Sequence, residues 1–150
     1  MEHRLERILP YAPDDLFALV GDVGRYPEFV PWLTRMRVSN PQVLGEGIDS
    51  VDAEATVSFA FLTERFSTRV VRNAPAHEVR ATLIRGPFRA LDNRWRFQPH
   101  PTGTMIDFYI DFAFSSKLLD ALLNANMSRA ADRLIGCFDE RARVLYGPKP

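Results

Sequence analysis

A single cysteine, Cys137, excludes a disulfide framework and a thiolate metal site, and it suits a reducing compartment. Histidine is scarce as well: His3, His77 and His100 are too scattered along the chain to read as a shared ligand set. Lysine is limited to Lys117 and Lys149, and acids balance bases at a formal net charge of +0, so no DNA partner is expected. No stretch approaches the roughly 18 consecutive apolar residues that a spanning helix requires. The N-terminus, Met1-Glu2-His3-Arg4-Leu5-Glu6-Arg7, alternates charge instead of supplying the apolar core of a signal peptide. A cytoplasmic location is expected, with a peripheral visit to the inner face of the cytoplasmic membrane as an alternative. Nucleophile-elbow, phosphate-loop and HExxH patterns are missing too.

What is present suffices for a core, or for a core plus a cavity. The chain has 150 residues, 46% of them hydrophobic and 25% charged, and one domain over residues 1–150 is expected. The zero net charge conceals a polarity: residues 1–64 carry five arginines against eleven acids, whereas residues 65–96 carry eight arginines against Glu78 and Asp92. If that basic segment forms strands, Arg65, Arg69, Arg80, Arg94 and Arg96 share an exposed face. Such a face suits anionic lipid or phosphate, and it equally suits the ordinary wet side of an antiparallel sheet.

Hydrophobic periodicity predicts the elements. His3 to Ile8 reads as a strand ended by Pro10. Pro13, Asp14 and Asp15 then open a short helix with Leu16, Phe17 and Val20 on its apolar side, and Gly21 stops it. From about Thr34 to Ser115 the pattern is strand after strand, broken at Gly45/Gly47, near Leu62, at Asn73-Ala74-Pro75, at Gly86-Pro87 and at Pro99 to Gly103, which predicts six meandering strands. The last of these has the clearest period of two, with Ile106, Phe108, Ile110, Phe112 and Phe114 opposing Asp107, Tyr109, Asp111 and Ala113. In the preceding strand Leu91, Trp95 and Phe97 face inward, with Asn93 as a polar neighbour. Lys117 to Tyr146 switches to helical period, with Leu119, Leu122, Leu123, Met127, Ala130, Leu134, Phe138 and Leu145 assigned to one side. Gly136 inside this helix predicts a close contact or a slight bend, and Gly147-Pro148 closes it.

Between the first helix and the strands stands Arg25-Tyr26-Pro27-Glu28-Phe29-Val30-Pro31-Trp32. Two prolines stiffen this aromatic turn, which reads either as the wall or lid of a site or as a plug on one end of the core. An apolar sheet face and an apolar helix stripe must meet. If the sheet curls strongly around the C-terminal helix, an apolar tunnel remains between them, its mouth rimmed by the short helices and the Gly86-Pro87-Phe88 loop. Periodicity assigns Phe59, Phe66, Leu91, Trp95, Phe108, Phe112, Leu134 and Phe138 to its wall, although each of these positions also fits plain core packing.

The Tyr26-to-Trp32 turn, the Gly86-Pro87-Phe88-Arg89 step followed by Trp95-Arg96-Phe97, the Phe108/Phe112 strand and the ending Phe138, Arg141-Ala142, Leu145-Tyr146-Gly147 together resemble the coenzyme Q-binding protein family of the START-like, helix-grip superfamily. The resemblance spans nearly the whole chain. It implies an α+β, START/Bet v 1-like fold in which a curved antiparallel sheet of about seven strands wraps around a long C-terminal helix, with two short helices after strand 1. It also implies that Tyr26, Phe29, Val30, Pro31, Trp32 and Phe88 stand at a cavity entrance. The implied ligand is ubiquinone or a similar isoprenoid lipid, bound without chemistry in support of respiratory electron transfer. The same family includes a ribosome-association toxin that binds the large ribosomal subunit, so the ribosome is the alternative partner. Related helix-grip folds include aromatic polyketide cyclases. Such an enzyme needs a buried acid or base, and with Asp107 and Asp111 facing outward and Asn93 a poor base, no enzymatic activity is expected.

Overall fold

The computed structural model describes residues 1–59 and 62–147, apart from the side chains of Phe59, Leu62 and Leu123. The expected wall residue Phe59 therefore lies outside the described side chains. Strand β1 (Glu2–Leu9) is followed by helix α1 (Pro13–Gly21) and a 3₁₀ turn (Val23–Glu28). Six strands come next: β2 (Leu33–Gly45), β3 (Ile48–Phe59), β4 (Leu62–Asn73), β5 (Glu78–Arg85), β6 (Phe88–His100) and β7 (Gly103–Phe114). Helix α2 (Lys117–Tyr146) closes the order.

The sheet has seven strands in the order β1-β7-β6-β5-β4-β3-β2, every neighbouring pair antiparallel. Five pairs are hairpins between consecutive strands; β1 instead joins the last strand, with Leu5 opposite Phe108. This is the expected α+β, helix-grip arrangement, a curved antiparallel sheet against one long C-terminal helix.

Local chemistry explains the helix ends. Pro13 sits at the first position of α1, with Asp14 and Asp15 in the first turn beside the exposed N–H groups. At α2 the Ser116 hydroxyl accepts from the Leu119 N–H, and the Asp120 carboxylate accepts the Phe114 N–H at 3.1 Å, tying the helix start to the end of β7. Gly147, at φ 81°, ends the helix and donates its N–H to the Arg143 carbonyl.

One face of each strand meets the helix. Ile106, Phe108 and Phe112 of β7 are fully buried beside Phe97 of β6, in phase with the expected alternation. On α2 the buried stripe is Met127, Ala131, Ile135, Phe138 and Ala142, spaced 4, 4, 3 and 4 residues apart. This shifts the stripe from the expected one. Leu122 and Leu145 are exposed, and Leu134 packs against the core only partly. Gly136 faces open space, so no close contact requires it. Thr104 of β7 donates to the carbonyl of Tyr11, just before α1, at 2.6 Å inside the core, and Tyr146 donates to the Asp15 carbonyl at 2.9 Å, which ties the end of α2 to α1. Phe138→Ala is expected to cost about 3–5 kcal/mol of stability, whereas Leu145→Ala should stay within about 0.5 kcal/mol. Chemical-denaturation midpoints, read at unchanged m-values, measure both.

Candidate functional site

The aromatic turn forms a clasp on the second half of α2. Tyr26 and Phe29 meet the Phe138 ring edge to face at 5.1 and 5.0 Å, and Val30, next in the chain, is completely buried. The Tyr26 hydroxyl donates to the Val20 carbonyl, and burial, followed by the Asp22 carboxylate, raises that hydroxyl above its ordinary pKa. Arg141 of α2 pairs with Glu28 at 2.7 Å and lies over Phe29, while Arg133 lies over Trp32 at 5.2 Å. Pro31 is exposed at the edge of this contact.

Behind the clasp the interior is filled by rings. Trp95 contacts Phe138 and Phe108, each at 4.9 Å between centroids, and stacks on Phe97 at 6.4 Å. The Trp95 indole N–H donates to Asn93 Oδ1, and Asn93 Nδ2 donates to the Tyr109 carbonyl, so this polar group is fully engaged. The structure thus gathers Tyr26, Phe29, Val30, Trp32, Trp95, Phe108 and Phe138 into one packed half of the molecule.

The other expected residues collect at the opposite end, where β7 turns into α2. There Phe88 stacks on Phe114 at 4.5 Å and meets Phe66 edge to face at 5.2 Å. Leu91 lies opposite the buried Phe112. Gly86 makes the ring contact feasible: at φ 150° it brings the hairpin so close to β4 that an added Cβ would fall 2.5 Å from Phe66 Cβ. Phe66, Phe88, Leu91, Ile110 and Phe114 are only half-buried. The first turns of α2 add Leu118, 71% exposed, and Leu122, 53% exposed. We call this the open end.

Sequence periodicity missed three polar groups near it. Glu64 pairs with Val57, and Val57 continues the inward row of Val51, Ala53 and Ala55, so Glu64 belongs to the concave face. Thr68, opposite Ala53, is buried on the same face. Extending the β4 alternation backward from Val70 through Thr68 and Phe66 is the signal that finds both. Asn124 of α2 keeps its Oδ1 buried and unpartnered among the described residues, and no pattern in the sequence reveals that.

The outer face of the sheet is a ladder of cross-strand ion pairs. Arg69 pairs with Asp52 directly opposite, Arg80 holds Asp92 through two bonds of 3.0 and 2.7 Å, and Arg96 bonds Glu78 at 2.9 Å. Arg94 lies over the Tyr109 ring with Glu78 at 3.9 Å. Four of the five arginines expected to make a basic patch therefore stand beside acids: Arg69 beside Asp52 of the acidic half, Arg80 beside Asp92, and Arg94 and Arg96 beside a shared Glu78. Arg65 makes no ion pair among the described residues.

Two recesses flank α2 on its outer side. One of about 450 Å³ lies between Glu28 and Phe29 of the clasp and Arg133, Cys137 and Arg141 of the helix; a smaller one of about 150 Å³ reaches toward Tyr146. Neither is the apolar tunnel expected between sheet and helix. Burial raises the Cys137 thiol pKa, with Arg133 opposing, which does not make it a ready nucleophile. Among the described residues no three His, Cys, Asp or Glu side chains converge as metal ligands would, and no helix is long and apolar enough to cross a membrane.

Known proteins resemble this arrangement over its full extent. The ribosome association toxin RatA of Pseudomonas aeruginosa is 37% identical over 141 residues, covering 93% of this chain and 94% of that protein. The mitochondrial coenzyme Q-binding protein COQ10 homolog B of Xenopus laevis is 28% identical, covering 98% of this chain and 60% of that protein. An 18 kDa protein of Caulobacter crescentus, solved in solution, has a TM-score of 0.84 at 51% identity, with 99% of each chain covered. A family model described as polyketide cyclase / dehydrase and lipid transport matches residues 9–139, and with that match, the helix-grip sheet and these relatives, the chain belongs to that START-like family.

Proposed function

We propose that the protein binds an isoprenoid lipid of the quinone class, ubiquinone, at the open end between the sheet and the first turns of α2, and performs no chemistry on it. One observation carries this reading. The rings of Phe66, Phe88 and Phe114 pack on one another yet stay half-buried where β7 gives way to α2, apolar surface that the protein does not cover itself. Monomeric proteins rarely leave such surface without a use, and burying it against a hydrocarbon tail gains roughly 25 cal/mol per Å². The lipid-transport description of the family and the coenzyme Q-binding relative support the ligand class.

Asn93 is held by Trp95 and Tyr109, the Asp120 carboxylate caps β7, and Glu64 is left without an evident acid or base to work with among the described residues. A cyclase needs a proton donor and acceptor aimed at one substrate carbon chain.

A second reading is association with the ribosome, at its large subunit; ribosome association is in the name of the toxin relative, 94% of which the match covers. Against it stands the ion-pair ladder, which removes most of the arginines that structured RNA would contact.

Protein purified from a quinone-producing host is expected to release an isoprenoid quinone on organic extraction, identified by mass spectrometry. Lipid-free preparations that also take up no added ubiquinone would sink the proposal. Leu91→Glu should empty the site while circular dichroism stays native, whereas Leu44→Asp, on a distant exposed side chain, should leave the cargo unchanged. If native protein instead sediments with large subunits at low salt, dissociates as salt rises and carries no lipid, the ribosome reading replaces this one.

A further inference from the structure

We propose that the open end is a docking surface for an anionic lipid bilayer. Along the outer face of the sheet most arginines stand beside an acid, Arg4 and Arg37 being the exceptions, whereas at the open end Arg35, Arg65, Arg89 and Lys117 are all exposed and make no ion pair among the described residues. Arg35 and Arg65 stand on one face of the sheet, each opposite Thr56. Arg89 follows Phe88 and Lys117 opens α2, and the Ser115 N–H donating to the Pro87 carbonyl at 2.8 Å holds those two segments together. Two acids neighbour this rim: Asp120, which accepts the Phe114 N–H at 3.1 Å, and Glu64, which belongs to the concave face of the sheet.

Within this basic rim sits apolar surface. Lys117 and Asp120 are the only charges in the first twelve residues of α2, and its exposed side there carries Leu118, Ala121, Leu122 and Ala125, with Asn126 and Ser128 as the polar members. A helix turn that is apolar on both its inner and outer sides requires cover on both. The opposite end of the molecule provides the contrast: Val43 and Leu44 are exposed on the β2–β3 hairpin tip, but their charged neighbours are Glu46 and the Arg72-paired Asp49.

Apolar side chains inside a ring of cations fit the boundary between headgroups and acyl chains of an anionic leaflet. Structured RNA has no use for exposed leucines, and a second copy of this chain would set the same cations against one another. Docking here points Phe88 and α2 at the bilayer, so a lipid ligand passes between membrane and protein without crossing water; only that passage, not the docking, rests on the ligand reading above.

Flotation with phosphatidylcholine vesicles, with and without phosphatidylglycerol, tests this at low and at physiological ionic strength. The native protein is expected to float only with anionic vesicles, and less as salt rises. Arg65→Gln and Arg89→Gln should each lower partitioning about fivefold, and Leu118→Asp should lower it further, while Leu44→Asp should not. Failure of the native protein to float overturns the proposal. So does an equal loss with Leu44→Asp, or loss of flotation alongside salt-sensitive ribosome binding or a Leu118-dependent dimer in light scattering. Lipid extraction from the Arg65→Gln, Arg89→Gln protein separates the two ideas: cargo retained without flotation supports the surface as distinct from the site, and flotation by a protein that never holds quinone retains the docking and removes the ligand reading.

Discussion

The contact of Phe138 with Tyr26, Phe29 and Trp95 is the constraint on which the architecture depends. It is where the aromatic turn, the sheet and the long helix meet, and each presents a large ring whose burial outweighs that of any aliphatic neighbour. The buried stripe carries the small Ala142 one turn beyond Phe138 and Ala131 two turns before it, so the helix backbone can approach the sheet while Phe138 reaches the Trp95 indole. Arg141 and Arg133 then seal the outside of the turn by lying over Phe29 and Trp32. The helix is therefore fastened over its second half, and the first half is free to serve something other than stability.

That division explains why residues grouped by sequence into one cavity separate into two regions. Trp95, Phe108 and Phe138 stabilise; Phe66, Phe88 and Leu91 remain half-covered. Stability and binding are thus assigned to different stretches of the same sheet and the same helix. Core packing at one end supplies the rigidity that allows apolar surface to persist at the other.

Much of this was legible in the residues. Strict alternation in β7 and the glycine and proline breaks between strands gave the sheet, because burying one face imposes a period of two and hairpins need particular backbone angles. The face of α2 was harder to read. Its first turns carry leucines and alanines on more than one side, so Leu122 looks as suitable for the core as Met127, and only the position of the sheet decides between them. The arginine-rich segment misled for a related reason. A count of charge along the chain cannot see that Asp52 will lie opposite Arg69, since pairing is fixed by strand register and not by sequence proximity. Asn124 stayed invisible because an unpartnered atom is a property of three-dimensional surroundings alone.

The partnership of β1 with β7 has a consequence for how the molecule is made. The Met1 amino group bonds the Phe112 carbonyl across 111 positions of chain, so the first strand waits for nearly the whole polypeptide before it finds its neighbour. Helix α2, synthesised later still, covers the concave side last, and at about 5–20 residues per second its thirty residues take a few seconds to emerge. During that interval the nascent meander shows its greasy side to the cell, and the ion pairs that stud its reverse side keep at least that surface soluble while the chain is unfinished.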